Sequence, residues 1–288
     1  MKKNIILFSD KMAFHGQQNG FLQRLEFVYL DDCGDVRAPF PEKLLQALKN
    51  LKSVEVKDCK SLDEVFELGE ADEGSSEEKE LLSSLTKLHL YFLPELKCIW
   101  KGPTRNVSLE NLVNLEVSYL NKLTFIFTPS LAQSLPKLET LVISKCGELK
   151  HIIRGEDGER EIIPQSTRFP QLETIYISGC DKLEYVFPVS VSPSLPNLEE
   201  MTIDRADNLK QIFYSGEGDA LPTDAIIKFP RLRELSLSNC SFFGPQNFAA
   251  QLPSLQILEI NGHKELGNLS AQLQVRPLYF SNNIFFPF

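Results

Sequence analysis

The chain has 288 residues, of which 42% are hydrophobic and 24% are charged, a balance typical of soluble globular proteins. Its formal net charge of −9 disfavours docking on nucleic-acid phosphates or on anionic lipid, so neither nucleic acid nor membrane is an expected partner. No apolar run approaches the roughly 18 residues that would predict a membrane-spanning helix.

The first predicted segment, residues 1–20, fits no repeat. Its four apolar residues at 5–8 are fewer than the roughly 7 to 15 in the core of a secretory signal. We therefore expect a non-repeat segment, no export and a cytoplasmic location.

A repeat pattern follows and recurs nine times. Each copy matches Leu-x-x-Leu-x-Leu-x-x-Cys-x-x-Leu, with other apolar residues at some Leu and Cys positions, and only His263 is polar at a template position. Successive copies start 23 to 34 residues apart. Positions are given below as offsets, the number of residues after the first template residue of a copy. These first residues are Leu25, Leu51, Leu85, Leu112, Leu138, Leu172, Leu198, Leu232 and Leu255.

The residues at offsets 3 and 5 predict a short strand with one buried face. In the copy that starts at Leu138, Leu141 and Ile143 lie on one side of the strand and Val142 lies on the other. One such strand cannot bury its apolar face alone, but parallel stacking of successive units buries each apolar ladder against the next coil. The predicted fold is an α/β leucine-rich-repeat solenoid over residues 21–273, curved, with a parallel sheet on its concave face and irregular or short helical returns.

Three return segments predict short helices that start at a proline, namely residues 41–50, 128–133 and 245–251. We expect most other returns to be irregular. The acidic segment 67–80 is interpreted either as a solvated insertion or as an arm that holds a basic partner surface. Residues 274–288 form an apolar carboxy-terminal tail.

The cysteines favour packing over metal binding or disulfide formation. Five of the six occupy offset 8, where Leu and Ala also occur, and interchange with these residues indicates a small buried side chain. No Cys-x-x-Cys spacing predicts a zinc site. The five are Cys33, Cys59, Cys146, Cys180 and Cys240.

Motifs that carry catalysis are not found in the sequence. It contains no Gly-x-Ser-x-Gly, no His-Glu-x-x-His and no phosphate-binding loop. We therefore expect no enzyme activity, no catalytic or metal-binding residues and no cofactor.

The concave face of the predicted sheet is the candidate binding surface. Aromatic residues cluster on it although the period predicts that it is exposed, and exposed aromatic and Arg residues commonly anchor protein interfaces. The alternative is that strands favour aromatic residues in any case. The candidate residues for binding a protein ligand are Phe27, Tyr29, His89, Tyr91, Phe92, Glu116, Tyr119, Tyr176 and Arg205.

The repeats at residues 135–153 and 169–187, with their shared Leu-Glu-Thr and Ile-Ser-x-Cys runs, resemble those of plant intracellular nucleotide-binding leucine-rich-repeat disease resistance proteins of the coiled-coil class. The resemblance implies sensing of pathogen effectors, directly or through a guarded host protein, and restraint of a nucleotide-binding module in the full-length protein or in another chain. That module is missing from this sequence, so a truncated resistance-gene relic is one alternative. An intracellular adaptor, such as the substrate arm of a ubiquitin ligase, is another, and an extracellular receptor domain is a third.

Overall fold

The computed structural model describes residues 19–69, 80–133, 135–154, 169–189, 191, 195–214, 226–239, 243–245, 248–262 and 272–275. In chain order its elements are α1 (Asn19–Leu22), β1 (Phe27–Asp31), β2 (Phe40–Pro41), α2 (Glu42–Ala47), β3 (Ser53–Lys57), β4 (Glu64–Glu67), β5 (Lys87–Tyr91), β6 (Cys98–Lys101), a 3₁₀ turn (Thr104–Asn106), β7 (Asn114–Ser118), α3 (Pro129–Ala132), β8 (Thr140–Ser144), β9 (Thr174–Ser178), β10 (Tyr185–Pro188), β11 (Glu200–Asp204), β12 (Gln211–Tyr214), β13 (Ile226–Lys228), β14 (Glu234–Ser238), β15 (Ala249–Leu252), β16 (Ile257–Asn261) and β17 (Leu273–Val275).

Nine of these strands form one parallel sheet in the order β1-β3-β5-β7-β8-β9-β11-β14-β16. Each strand comes from one copy of the template, so the prediction of nine repeat strands is confirmed. Equivalent positions pair across the sheet: Leu141 of β8 pairs with Leu115 of β7 on one side and with Ile175 of β9 on the other. The repeats are therefore stacked in register as a leucine-rich-repeat solenoid.

The core lies behind this sheet and is built from the apolar template positions. Leu141 is 1% exposed and Ile143 is fully buried, whereas Val142 between them is half-buried and faces the opposite side. Complete burial of one aliphatic side chain stabilises a fold by about 2 kcal/mol, and each repeat contributes several. Stacking of the coils therefore supplies the stability that no single repeat has.

The returns are more regular than predicted, because three small parallel sheets line them, in the orders β2-β4-β6, β10-β12 and β13-β15-β17. Buried aromatic rings stack behind the first: the ring centres of Phe40 and Phe66 are 5.2 Å apart, and those of Phe66 and Trp100 are 4.9 Å apart.

The predicted helix at residues 245–251 is wrong, since β15 covers Ala249–Leu252. This segment lies between β13 and β17 and pairs with both. Neighbouring coils thus satisfy its backbone N–H and C=O groups, which a helix this short would leave largely unpaired.

The other two predicted helices are confirmed. Helix α3 has Pro129 at its first position, and the Thr128 side chain caps it by accepting a hydrogen bond from the Leu131 N–H. Helix α2 begins at Glu42, so Pro41 is its capping residue and not the first helical residue that the sequence predicts.

The four described offset-8 cysteines, Cys33, Cys59, Cys146 and Cys180, are free thiols that lie in the turns after their strands. Cys59, Cys146 and Cys180 are buried, which confirms the packing prediction, and Cys33 is half-buried. The thiols donate to the carbonyl two residues earlier, as Cys146 does to the oxygen of Ser144 at 3.4 Å. Burial raises the pKa of the Cys59 thiol to about 12.

Some predictions concern residues outside the described part of the chain. These are residues 1–18 of the amino-terminal segment, 70–79 of the acidic segment, 276–288 of the tail, Cys240 and His263.

Candidate protein-binding surface

The nine-stranded sheet has one buried face and one face turned away from the core, which we call the open face; it is the face that the sequence predicts to be concave. Among the described residues, six large hydrophobic side chains are exposed: three of them, Phe27, Tyr176 and Ile257, lie on the open face, and Phe92 lies directly after strand β5 at the edge of that face. The apolar excess at the surface is therefore concentrated where the sequence predicts binding.

The strands end in a feature that the sequence analysis missed. At offset 7 every repeat has a backbone φ between 48° and 70°, the left-handed region. We call these nine residues the turn column. Its members are Asp32, Asp58, Phe92, Tyr119, Lys145, Gly179, Arg205, Asn239 and Gly262.

Hydrogen bonds between strands explain this conformation. The left-handed residue turns its N–H toward the next strand, as Phe92 N donates to Ser118 O at 3.0 Å and Tyr119 N donates to Ser144 O at 3.0 Å. Asp, Asn and Gly adopt positive φ readily, but bulky residues do so at a cost. Phe92, Tyr119, Lys145 and Arg205 thus occupy strained positions, which are found preferentially at functional sites. The recurrence of Asp, Asn and Gly at offset 7 is the sequence signal that could have predicted this left-handed turn.

Two of the predicted site residues stack in the turn column. The rings of Phe92 and Tyr119 are 4.3 Å apart between centres and 19° from parallel. Lys145, which the sequence analysis did not single out, extends this stack: its Nζ lies 4.5 Å from the Tyr119 ring centre and donates to the Tyr119 hydroxyl. Phe92 is 41% exposed, so the stack offers an apolar surface to a partner.

Three further predicted residues form a polar group beside this stack. The Tyr91 hydroxyl donates to the Glu116 carboxylate, and the His89 ring packs edge-on against Tyr91 with 5.9 Å between centres. His89 Nε2 is 2.6 Å from Asn114 Oδ1. Burial, followed by the hydrogen bond to Glu116, raises the pKa of Tyr91 well above its usual value. This hydroxyl therefore stays protonated and acts as a fixed donor.

Phe27 and Tyr29 lie on β1, at the edge of the sheet. Phe27 is 49% exposed, and the Tyr29 hydroxyl donates to Asp31 Oδ2 at 2.9 Å. That hydrogen bond raises the pKa of Tyr29. Strand β3, with Glu55 and Lys57 on its open face, separates this pair from Tyr91.

Tyr176 and Arg205 lie apart from the aromatic group. Tyr176 is 39% exposed on β9, between Val142 and Thr202 of the adjacent strands. Arg205 donates from Nε to Asp204 at 2.9 Å and from a terminal nitrogen to Ser178 at 3.3 Å. The structure thus brings five candidates together and leaves the other four at separate places, Phe27, Tyr29 and Tyr176 on the open face and Arg205 in the turn column. The five are His89, Tyr91, Phe92, Glu116 and Tyr119.

In the described part of the chain, no group of three His, Cys, Asp or Glu side chains is arranged to hold a metal ion. None of the described helices has the length and apolarity needed to cross a membrane. The open face offers exposed aromatic rings and carboxylates, which are groups that contact other proteins.

A family model described as "Plant disease resistance protein RPS2-like, leucine-rich repeats" matches residues 3–147 and 149–207. The chain is 32% identical over 107 residues to the "Probable disease resistance protein At4g27220" of Arabidopsis thaliana. That match covers 35% of this chain but only 11% of the relative, which is a much longer protein. Among solved structures, the leucine-rich repeat domain of the type III effector XCV3220 (XopL) aligns with a TM-score of 0.42 and 21% identity, over 72% of this chain and 67% of that chain.

Proposed function

The chain belongs to the RPS2-like leucine-rich-repeat family of plant disease resistance proteins, and from this premise we propose that it is a non-enzymatic recognition module of plant innate immunity. Its open face binds a protein ligand, either a pathogen effector or a guarded host protein. It also restrains a nucleotide-binding module, located in the full-length protein or in another chain. We propose that it acts in the cytoplasm.

One observation carries the proposal: most of the large hydrophobic side chains that remain exposed in the described part of the chain lie on the open face or at the strand ends beside it. An aromatic ring that is about two-fifths exposed, such as that of Phe92 or Tyr176, contributes little to folding in the absence of a partner. The strained left-handed backbone at Phe92 and Tyr119 adds a cost to folding. A surface that keeps such residues is explained by the binding of a partner.

The experiment compares single alanine variants of the chain by proximity labelling in plant tissue. Each protein that is labelled is then titrated calorimetrically against the purified chain and its variants. We expect Tyr91→Ala and Tyr176→Ala to lose a partner that the unmodified chain captures. The matched control is Tyr185→Ala, because Tyr185 is a half-buried tyrosine of the small sheet β10-β12, outside the open face.

Thermal melts of all three variants separate loss of binding from loss of folding. If both open-face variants keep every partner, or if Tyr185→Ala loses the same partner as they do, the proposal is wrong.

Restraint is tested separately. The reading frame is extended upstream to identify any nucleotide-binding module with an in-frame phosphate-binding loop, and that module is then co-expressed with the chain. We expect the chain to lower the cell death that the module causes alone. Equal cell death with and without the chain would remove restraint from the proposal while leaving recognition intact.

A further inference from the structure

The first five residues of the turn column follow a chemical order across the sheet: two carboxylates, two aromatic rings and one cation. Asp32, Asp58, Phe92, Tyr119 and Lys145 come from five consecutive strands, which lie about 4.8 Å apart. Each of these residues therefore lies beside the adjacent members of the column.

One end of the aromatic stack already holds a cation. Lys145 Nζ lies 4.5 Å from the Tyr119 ring centre, within the range of a cation–π interaction. The ring of Phe92 covers Tyr119 from the preceding strand. On the other side of Phe92, strand β3 places Asp58 as the next member of the column, and Phe92 is 41% exposed.

The carboxylates at this second end are only weakly engaged. Asp58 pairs with Lys57 at 3.3 Å, with the two side chains 42% and 39% exposed, and an ion pair this exposed contributes little. Within the described residues, no side chain donates a hydrogen bond to the Asp32 carboxylate, which is exposed. Both carboxylates can therefore accept a new donor.

We propose that the Phe92 ring and the carboxylates of Asp58 and Asp32 form a pocket for an arginine side chain presented by the protein ligand. The guanidinium stacks on the side of the Phe92 ring that Tyr119 does not cover, as Lys145 covers Tyr119, and its N–H groups donate to Asp58 and Asp32. This proposal rests on the proposed function and adds to it the chemistry of the partner: an exposed, arginine-bearing segment.

The charge of the surrounding surface fits this partner. On the open face and turn column of the first four repeats, five carboxylates face two lysines. These are Asp31, Asp32, Glu55, Asp58 and Glu116 against Lys57 and Lys87. A basic segment is attracted to such a surface and an acidic one is repelled.

Arginine fits better than lysine because its planar guanidinium can stack on a ring and donate two parallel hydrogen bonds to a carboxylate at the same time. A lysine ammonium is a compact and strongly hydrated charge that fulfils only one of these roles well. The pocket therefore predicts a preference between two side chains of equal charge.

The test is calorimetric titration of the purified chain with an acetylated and amidated glycine–arginine repeat peptide, and with a glycine–lysine peptide of the same length. We expect the arginine peptide to bind roughly fivefold or more tightly than the lysine peptide. Phe92→Leu keeps the apolar bulk and removes the π face, so it should abolish this preference.

Asn tolerates the left-handed backbone, so Asp58→Asn should leave the fold intact. We expect this variant to bind the arginine peptide roughly fivefold less tightly at low salt, with a smaller loss of affinity at high salt. Its matched control is Glu234→Gln, since Glu234 is an exposed carboxylate on β14 of the same face and its loss changes the net charge equally. We expect Glu234→Gln to bind the peptide as the unmodified chain does.

The arginine pocket is refuted if the two peptides bind equally, or if Glu234→Gln weakens the arginine peptide as much as Asp58→Asn does. In the second case the peptide responds only to overall charge. Neither result touches the proposed function, which depends on capture of a protein through Tyr91 and Tyr176. If instead those variants keep every partner while the pocket binds arginine, the pocket stands and the proposed function fails.

Discussion

Adjacent residues in strand β8 provide a direct test of the assignment of the two sheet faces. Leu141 is 1% exposed, and its neighbours across the sheet are Leu115 and Ile175. Val142, the next residue in the chain, is half-buried on the open face. Leu141→Ala removes atoms from the core, whereas Val142→Ala removes them from the surface.

The expected magnitudes differ severalfold. Leu141→Ala loses the burial of an aliphatic side chain and leaves a cavity between two packed coils, which together cost about 3 kcal/mol of unfolding free energy. Val142→Ala loses only a strand preference and partial burial, which costs at most about 1 kcal/mol. The difference of about 2 kcal/mol is well outside the error of a urea titration.

The assay follows urea unfolding by far-UV circular dichroism and by tryptophan fluorescence. Trp100 is the single tryptophan of the chain and is buried in the third repeat, so its fluorescence reports the first half of the solenoid. Because each repeat contacts only its neighbours, a cavity in the fifth repeat should also separate the fluorescence transition from the dichroism transition. Equal destabilisation by the two variants, or a greater loss for Val142→Ala, would show that the faces are misassigned.

Three more predictions follow from the side chains outside the open face. Gln272 is 5% exposed, and its amide makes four hydrogen bonds, of 2.7 to 3.2 Å, to the backbone of residues 243–245. Gln272→Ala should therefore lower the free energy of unfolding in urea by about 3 kcal/mol. Gln256→Ala is the control, because Gln256 is exposed, and it should change that free energy by less than about 0.5 kcal/mol. Burial, followed by the nearby charge of Arg154, lowers the pKa of His151, so the unfolded chain binds more protons than the folded chain and stability should fall as the pH drops below about 6.5. His151→Gln should flatten this dependence of stability on pH. An unchanged slope would show that His151 is not the group responsible. Alkylation by iodoacetamide, followed by peptide mass spectrometry, should modify Cys59 only in denaturant, because burial raises its thiol pKa to about 12; rapid modification of the native chain would mean that this turn opens.

The nine strands of the large sheet could be located from the sequence because their signal is local. Alternation such as that of Leu141, Val142 and Ile143 specifies which side of a strand faces the core, whatever the strand pairs with. The helix cap at Thr128 and Pro129 is a local signal too, since the Thr128 side chain satisfies a backbone N–H only three residues away.

The predicted binding residues were identified by their position on the exposed side of these strands, and all of those on the strands lie there. Their mutual arrangement was not predictable. Phe92 and Tyr119 are 27 residues apart, and their rings stack only because consecutive coils place the ends of two strands side by side. Asp58 and Lys145 lie beside this aromatic pair for the same reason, because the adjacent strands end next to it.

The amino-acid sequence by itself determined the repeat, the buried ladder and the face on which binding is expected, because these follow from the spacing of apolar side chains along a single chain. Only the tertiary structure decided which returns are strands and which residues after the strands take positive φ. In both cases the backbone conformation is fixed by hydrogen bonds to the neighbouring coil, as Ala250 pairs with Ile227 and as Phe92 N donates to Ser118 O. The return strands carry no regular alternation of their own, and at offset 7 only the recurrence of Asp, Asn and Gly hints at the turn, so the stacked coils are needed to see both effects.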